Sequence, residues 1–149
     1  MSQTILNSEN HNVPDWFFNQ SAVLPFRISN NILEILLITS IKKKRWIIPK
    51  GIVEPDLSPQ ESAMKEAYEE AGISGQILDT WIGEYTYKKW GGVCHVLVYP
   101  LKVETVHNTW PESNLRERCW FEAKQALAKT KLNSLADLID SLKKSFLQK

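Results

Sequence analysis

The chain has 149 residues, 43% of them apolar and 23% charged, with 18 basic against 17 acidic side chains and a formal net charge of +1. These values fit one globular domain and exclude disordered, collagen-like and coiled-coil classes. The charge balance also excludes a bulk electrostatic grip on nucleic acid or an acidic membrane, so charge-driven binding must be local. No stretch approaches the ~20 apolar residues of a membrane helix, and the start of the chain lacks a signal-peptide pattern. The two cysteines, Cys94 and Cys119, are too few for a disulfide framework or a zinc site and read as buried free thiols. A cytoplasmic, reducing setting is the expectation.

In chain order, residues 1–19 read as an N-terminal arm, polar at first and docked through Trp16, Phe17 and Phe18, and residues 20–149 as a single domain. Two apolar runs, 22–28 and 32–39, flank Ser29-Asn30-Asn31 and predict a hairpin. A basic loop, Lys42 to Arg45, leads into a short strand over 46–49. Further strands are predicted over 75–84, 84–89 and 93–103, with a turn at 88–92. Helices are predicted over 121–129 and 132–147. The second carries Leu135, Leu138, Ile139 and Leu142 at helical spacing, a stripe that faces a core. His95, in an apolar strand, reads as a core or interface residue.

Between the strands lies a well-specified helix over 59–71. Ser58 is the N-cap candidate, Pro59 takes the first helical position and Glu61 completes a capping box. Gly72 suits the position just past the end. Ala63, Met64, Ala67, Tyr68 and Ala71 make one face of this helix, and Glu66, Glu69 and Glu70 the other. Like charges at these spacings repel by about 0.2–0.5 kcal/mol per pair. Glu69 and Glu70 also stand at the negative end of the helix dipole. A solvated acidic face is one reading. The other is a divalent cation that turns repulsion into attraction. Carboxylates with no His or Cys nearby suit Mg²⁺ or Mn²⁺ rather than zinc, and water bound to a metal ion is the usual nucleophile in hydrolysis.

Residues 51–73 resemble the Nudix box, Gly-x5-Glu-x7-Arg-Glu-U-x-Glu-Glu-x-Gly-U, where U is bulky and aliphatic. Gly51, Glu66, Glu69, Glu70, Gly72 and Ile73 match in register, and Ala67 matches loosely. Leu57 stands where the first Glu belongs, and Lys65 replaces Arg. The flanking segments 45–51 and 118–121 are similar to the diphosphoinositol and diadenosine polyphosphate hydrolase branches, and the resemblance covers about residues 20–145. It implies an α/β fold, a Nudix-type α/β/α sandwich around a mixed sheet. It also implies divalent-cation-dependent hydrolysis of a pyrophosphate bond in a nucleoside diphosphate derivative or polyphosphorylated small molecule.

Carried over, Glu66, Glu69 and Glu70 are metal ligands, with the Gly51 carbonyl a further candidate, and Glu66 or Glu70 takes a proton from the attacking water. Lys65 stands in for the Arg that orients these carboxylates, without the bidentate fork. Asp56 and Glu61 are near enough in sequence to substitute for the acid missing at Leu57. Arg45, Lys50 and Arg27 are candidates to bind substrate phosphates. Glu117 fits the place where some relatives add a late-loop Glu, or is a surface charge. Trp81, Trp90, Trp110, Tyr85 and Tyr87 are candidates to stack on a base. The expected partner is a phosphorylated small molecule, with no membrane and no bulk nucleic-acid binding; the alternative is a weakly active or inactive nucleotide-binding module of the same fold.

Overall fold

The computed structural model describes residues 12–77 and 81–146; residues 1–11 of the predicted arm and residue 147 of the last predicted helix lie outside them. After a 3-10 turn at Asp15–Phe18, strands β1 (Asn19–Ser29) and β2 (Ile32–Thr39) form the expected hairpin. Its two-residue turn, Asn30-Asn31, has φ of 53° and 68°; both central residues of a type I′ turn need positive φ, which asparagine tolerates. Of the short strand predicted over 46–49, only β3 (Trp46–Ile47) forms, pairing with β2, and a further strand, β4 (Lys50–Ile52), follows and pairs with β1.

Helix α1 (Pro59–Glu66) follows, extended by a π-turn over Ala67–Ala71. Ser58 and Glu61 form the capping box, and Gly72 closes the helix at φ 66°. Of the strand predicted over 75–84, residues 75–77 belong to β5 (Ile73–Ile77) and 83–84 open β6 (Gly83–Lys89), while residues 78–80 lie outside the described residues. Both strands pair in tandem with β7 (Gly92–Val106), which is long enough to hold them. Residues 118–121, the last of them expected to open a helix, are in β8 (Arg118–Glu122), because Cys119 to Phe121 complete a ladder with Leu37 to Ile35 of β2. Helices α2 (Ala123–Lys129) and α3 (Leu135–Phe146) close the fold.

Among the described residues the sheet runs β3-β2-β1-β7-β5, with β8 beside β2, β4 beside β1 and β6 beside β7. The β1–β7 pair is parallel and the others antiparallel, so the sheet is mixed. Side chains alternate between its faces. Ala22, Leu24, Phe26, Ile35, Leu37, Val96 and Val98 pack under the α3 stripe of Leu135, Leu138, Ile139 and Leu142. Val23, Leu36, Ile38, Tyr99 and Leu101 pack under Ala63, Ala67 and Ala71 of α1. Burial on both faces is why β1 and β2 read as near-continuous apolar runs. The architecture is the expected α/β sandwich, helices on either side of a mixed sheet.

Three side chains depart from expectation. His95 is exposed, at the register of Asn19 near the end of the β1–β7 pairing. Cys94 is buried but Cys119 is exposed. Tyr68 is 42% exposed rather than in the core face, with its ring edge-on to His107. Among the described residues no helix is long and apolar enough to cross a membrane.

Candidate active site

A cleft of about 570 Å³ opens where α1, β4, the end of β1 and the β6–β7 turn meet. Glu54, Lys65, Glu66 and Glu70 line one side and Gln20, Tyr87, Lys89 and Trp90 the other, with Lys50, Gly51 and Arg116 among the remaining lining residues. A broader depression at Ile28, Leu33 and Lys143 has no converging carboxylates.

The π-turn explains which acids converge. Gly72 N–H reaches Ala67 O, five residues back, as well as Tyr68 O. The wider i→i+5 turn brings the residue four positions on nearly over the first and swings the residue three positions on aside. Glu66 and Glu70 therefore both line the cleft, with the charge of Glu70 acting on Glu66, while Glu69 does not line it. Gly51 lies directly against Glu66: a Cβ there would overlap the Glu66 carboxyl group and displace it from its present position.

Burial is the largest force on both acids. It raises Glu66, reinforced by the charges of Glu70 and Glu69, to about 8. It raises Glu70 to about 7, although the Arg116 guanidinium and the Lys50 N–H pull it down. The Lys50 amide donates to Glu70 Oε1 at 3.2 Å, and Arg116 Nη2 lies 3.4 Å from Glu70 Oε2 in a pair with both side chains near 10% exposed. The site thus penalises the ionised form of both carboxyl groups.

Arg116 is fixed by Glu112 at 2.8 Å and by the Thr39 carbonyl at 3.1 Å. Two residues on, Arg118 donates to Ala71 O and His107 O, at 2.9 and 2.7 Å, and stacks on Trp110 at 3.8 Å. It caps the carbonyl end of the α1 segment, where a cation is favoured. Lys50 is mostly buried, which lowers its pKa. Its Nζ donates to Tyr87 Oη at 3.0 Å, and Tyr87 donates onward to Gln20 Oε1 at 2.7 Å. Phe17 and Phe18 meet the Trp90 ring edge-on, and Trp90 has φ 55°, an uncommon conformation for a bulky residue.

The structure brings together Glu66, Glu70, Lys65, Gly51 and Lys50 of the predicted site residues. Arg45 is exposed and lines an adjoining cavity of about 210 Å³ with Trp46, Tyr85 and Lys131, separated from the cleft by Lys50 and Tyr87. Arg27 does not line the cleft: it pairs with Glu34 at 2.7 Å and stacks over Trp120 at 4.1 Å. Glu117 does not line it either. Arg116 and Arg118, two apart, both face α1, whereas Glu117 is exposed, with its N–H bonded to Thr39 Oγ1 at 2.9 Å. Sequence reasoning missed Arg116, Glu112, Gln20 and Glu54. The signal for Arg116 was there in the two-residue spacing from Arg118.

The NUDIX domain model matches residues 19–142. The chain belongs to the Nudix family. It is 37% identical over 101 residues to Nudix hydrolase 21, chloroplastic, of Arabidopsis thaliana, covering 64% of this chain and 49% of that protein. It is 33% identical over 117 residues to diphosphoinositol polyphosphate phosphohydrolase 3-beta of Bos taurus, covering 76% and 70%. The chain spans about half the length of the first of these Nudix relatives. Among solved structures, the C. elegans Ap4A hydrolase shares the fold with a TM-score of 0.70 at 20% identity, covering 86% of this chain and 97% of that one. A Nudix-family hydrolase from Clostridium perfringens does so with a TM-score of 0.71 at 14% identity, covering 87% and 98%.

Proposed function

We propose that the cleft hydrolyses a pyrophosphate bond in a phosphorylated small molecule, a nucleoside diphosphate derivative or a polyphosphorylated compound, with Mg²⁺ or Mn²⁺ held by Glu66 and Glu70. The observation that carries this reading is the pair of carboxyl groups in one cleft, Glu70 buried and Glu66 half-buried beside Gly51, both held well above the ordinary carboxylate range. A divalent cation between them offsets the cost of carrying both charges in a buried place. The donors are all oxygen, as a hard ion prefers, and two carboxylates leave positions for water and for substrate phosphate. Gly51, on the same wall, offers its carbonyl as a further oxygen, and Glu69 contributes charge from outside the cleft.

The ion, when bound, supplies an acidified water and countercharge for the phosphates. The chain's own residues do the rest. Glu70 is the better placed to take a proton from that water, because Arg116 and the Lys50 amide fix its carboxylate. Lys50, Lys89 and Arg116 converge on the space a phosphate chain occupies. Trp16, Phe17, Tyr87 and Trp90 also line the cleft and give it apolar surface for a planar group, with Lys50 and Lys89 lying over the Tyr87 and Trp90 rings at 4.6 Å each.

The test is turnover with Mg²⁺ on dinucleoside polyphosphates, nucleotide sugars and diphosphoinositols. Release of nucleotide or phosphate from at least one class is expected, with Glu70→Gln slower by about 10²–10⁴-fold and unaltered in fold. Binding without release from any class would make the protein a silent relative that senses such a ligand, and unchanged turnover in Glu70→Gln would place the chemistry elsewhere.

A further inference from the structure

The Nudix box places an acid at position 57, and this chain has Leu57, outside the cleft. Neither of the substitutes closest in sequence is available. Glu61 is committed to the capping box, its Oε1 accepting the Ser58 N–H at 2.8 Å, and Asp56 is exposed and does not line the cleft. Glu54 does line it. Its own amide is tied to Ser62 Oγ of α1 at 3.2 Å, and the turn folds back so that Leu57 N–H donates to Glu54 O at 3.0 Å. From there Glu54 Oε2 reaches Lys65 Nζ at 2.5 Å.

We propose that Glu54 is a positioning residue for this site and has taken over the task that the box gives to position 57, acting through Lys65. The need for it is electrostatic. Lys65 precedes Glu66 directly and stands four residues before Glu69 on the helix, and the charges of both acids act on it. A flexible ammonium without a partner collapses onto the nearest acid and competes with a divalent cation for it. Glu54 holds that ammonium at the rim, where its charge still borders Glu66 but its hydrogen bonds are spent. The pair is exposed, with side chains 43% and 36% accessible, so it contributes little to stability; its reason for being in the cleft is the arrangement of its neighbours.

This inference rests on the reading of Glu66 and Glu70 as cation ligands, and the experiment separates the two. Mn²⁺ is titrated calorimetrically into wild type, Glu54→Gln, Lys65→Met, Glu54→Gln with Lys65→Met, Glu54→Gln with Leu57→Glu, and Glu66→Gln, with thermal unfolding of each. The expected result is about ten-fold weaker binding in Glu54→Gln at unchanged unfolding temperature. Removing Glu54 has no further effect once Lys65 is gone, and Leu57→Glu recovers most of the loss. Wild-type affinity in Glu54→Gln, a full loss that persists in the Lys65→Met background, or no recovery with Leu57→Glu each overturns the assignment. Wild-type affinity in Glu66→Gln instead overturns the cation site itself.

Discussion

Glu66 and Glu70 are costly residues where they stand, and the cost has a pH signature. An unfolded-state carboxyl titrates near 4.5, whereas these two hold their protons to about 8 and about 7 in the folded chain. Between those values the folded state binds protons that the unfolded state has released, so metal-free stability falls as pH rises through the window and the full penalty is present above about 8. Thermal unfolding without divalent ions at pH 5 and pH 8 should show this. Glu66→Gln should gain on wild type as pH rises, and a constant difference between them would mean that the carboxyls are not crowded. Arg116 acts in the opposite direction by drawing Glu70 down. Arg116→Ala should move the acidic limb of the kcat/KM profile to higher pH, so that the loss of activity is greater at pH 6.5 than at pH 8.5; a uniform loss would mean that Arg116 serves substrate binding alone.

The elements divide by how locally they are specified. The β1–β2 hairpin, the capped start of α1 and the α3 stripe are each written in contiguous residues, and each was legible. The acid-bearing helix was legible for the same reason, but its π-turn was not, and that turn decides that Glu70 rather than Glu69 joins Glu66. Strand β8 was hidden because its pairing with β2 joins segments some 80 residues apart in sequence, and β4 because three residues carry no period. Gly72 is where the element and the site meet. It sits at φ 66°, and a Cβ there would lie 2.7 Å from both Arg118 Nη1 and the Trp110 ring. Gly72→Ala should cost more than the about 1 kcal/mol of an ordinary unfavourable backbone position, read by urea denaturation, and should weaken activity by displacing the end of the π-turn. A neutral result would remove the role given to the Arg118 cap.

At the scale of the molecule, the sandwich explains both what the sequence could not show and why the cleft exists. Gln20, Lys50, Glu66, Glu70, Tyr87, Trp90 and Arg116 come from five separated stretches of chain. The box supplied two of them by its own spacing; Gln20 and Arg116 join only because β1 lies between β4 and β7 and because the segment before β8 crosses the end of α1. Arg27 was misleading because a charge in an apolar strand needs a partner, and it has one in Glu34 and Trp120. The central claim is that this convergence makes a seat for one divalent cation between two carboxylates. Crystals grown with Mn²⁺ and measured at an anomalous wavelength test it most directly. The account predicts a peak in contact with both Glu66 and Glu70, lost in Glu66→Gln. A map with no peak between the two carboxyl groups, and manganese elsewhere or nowhere on the chain, would contradict it.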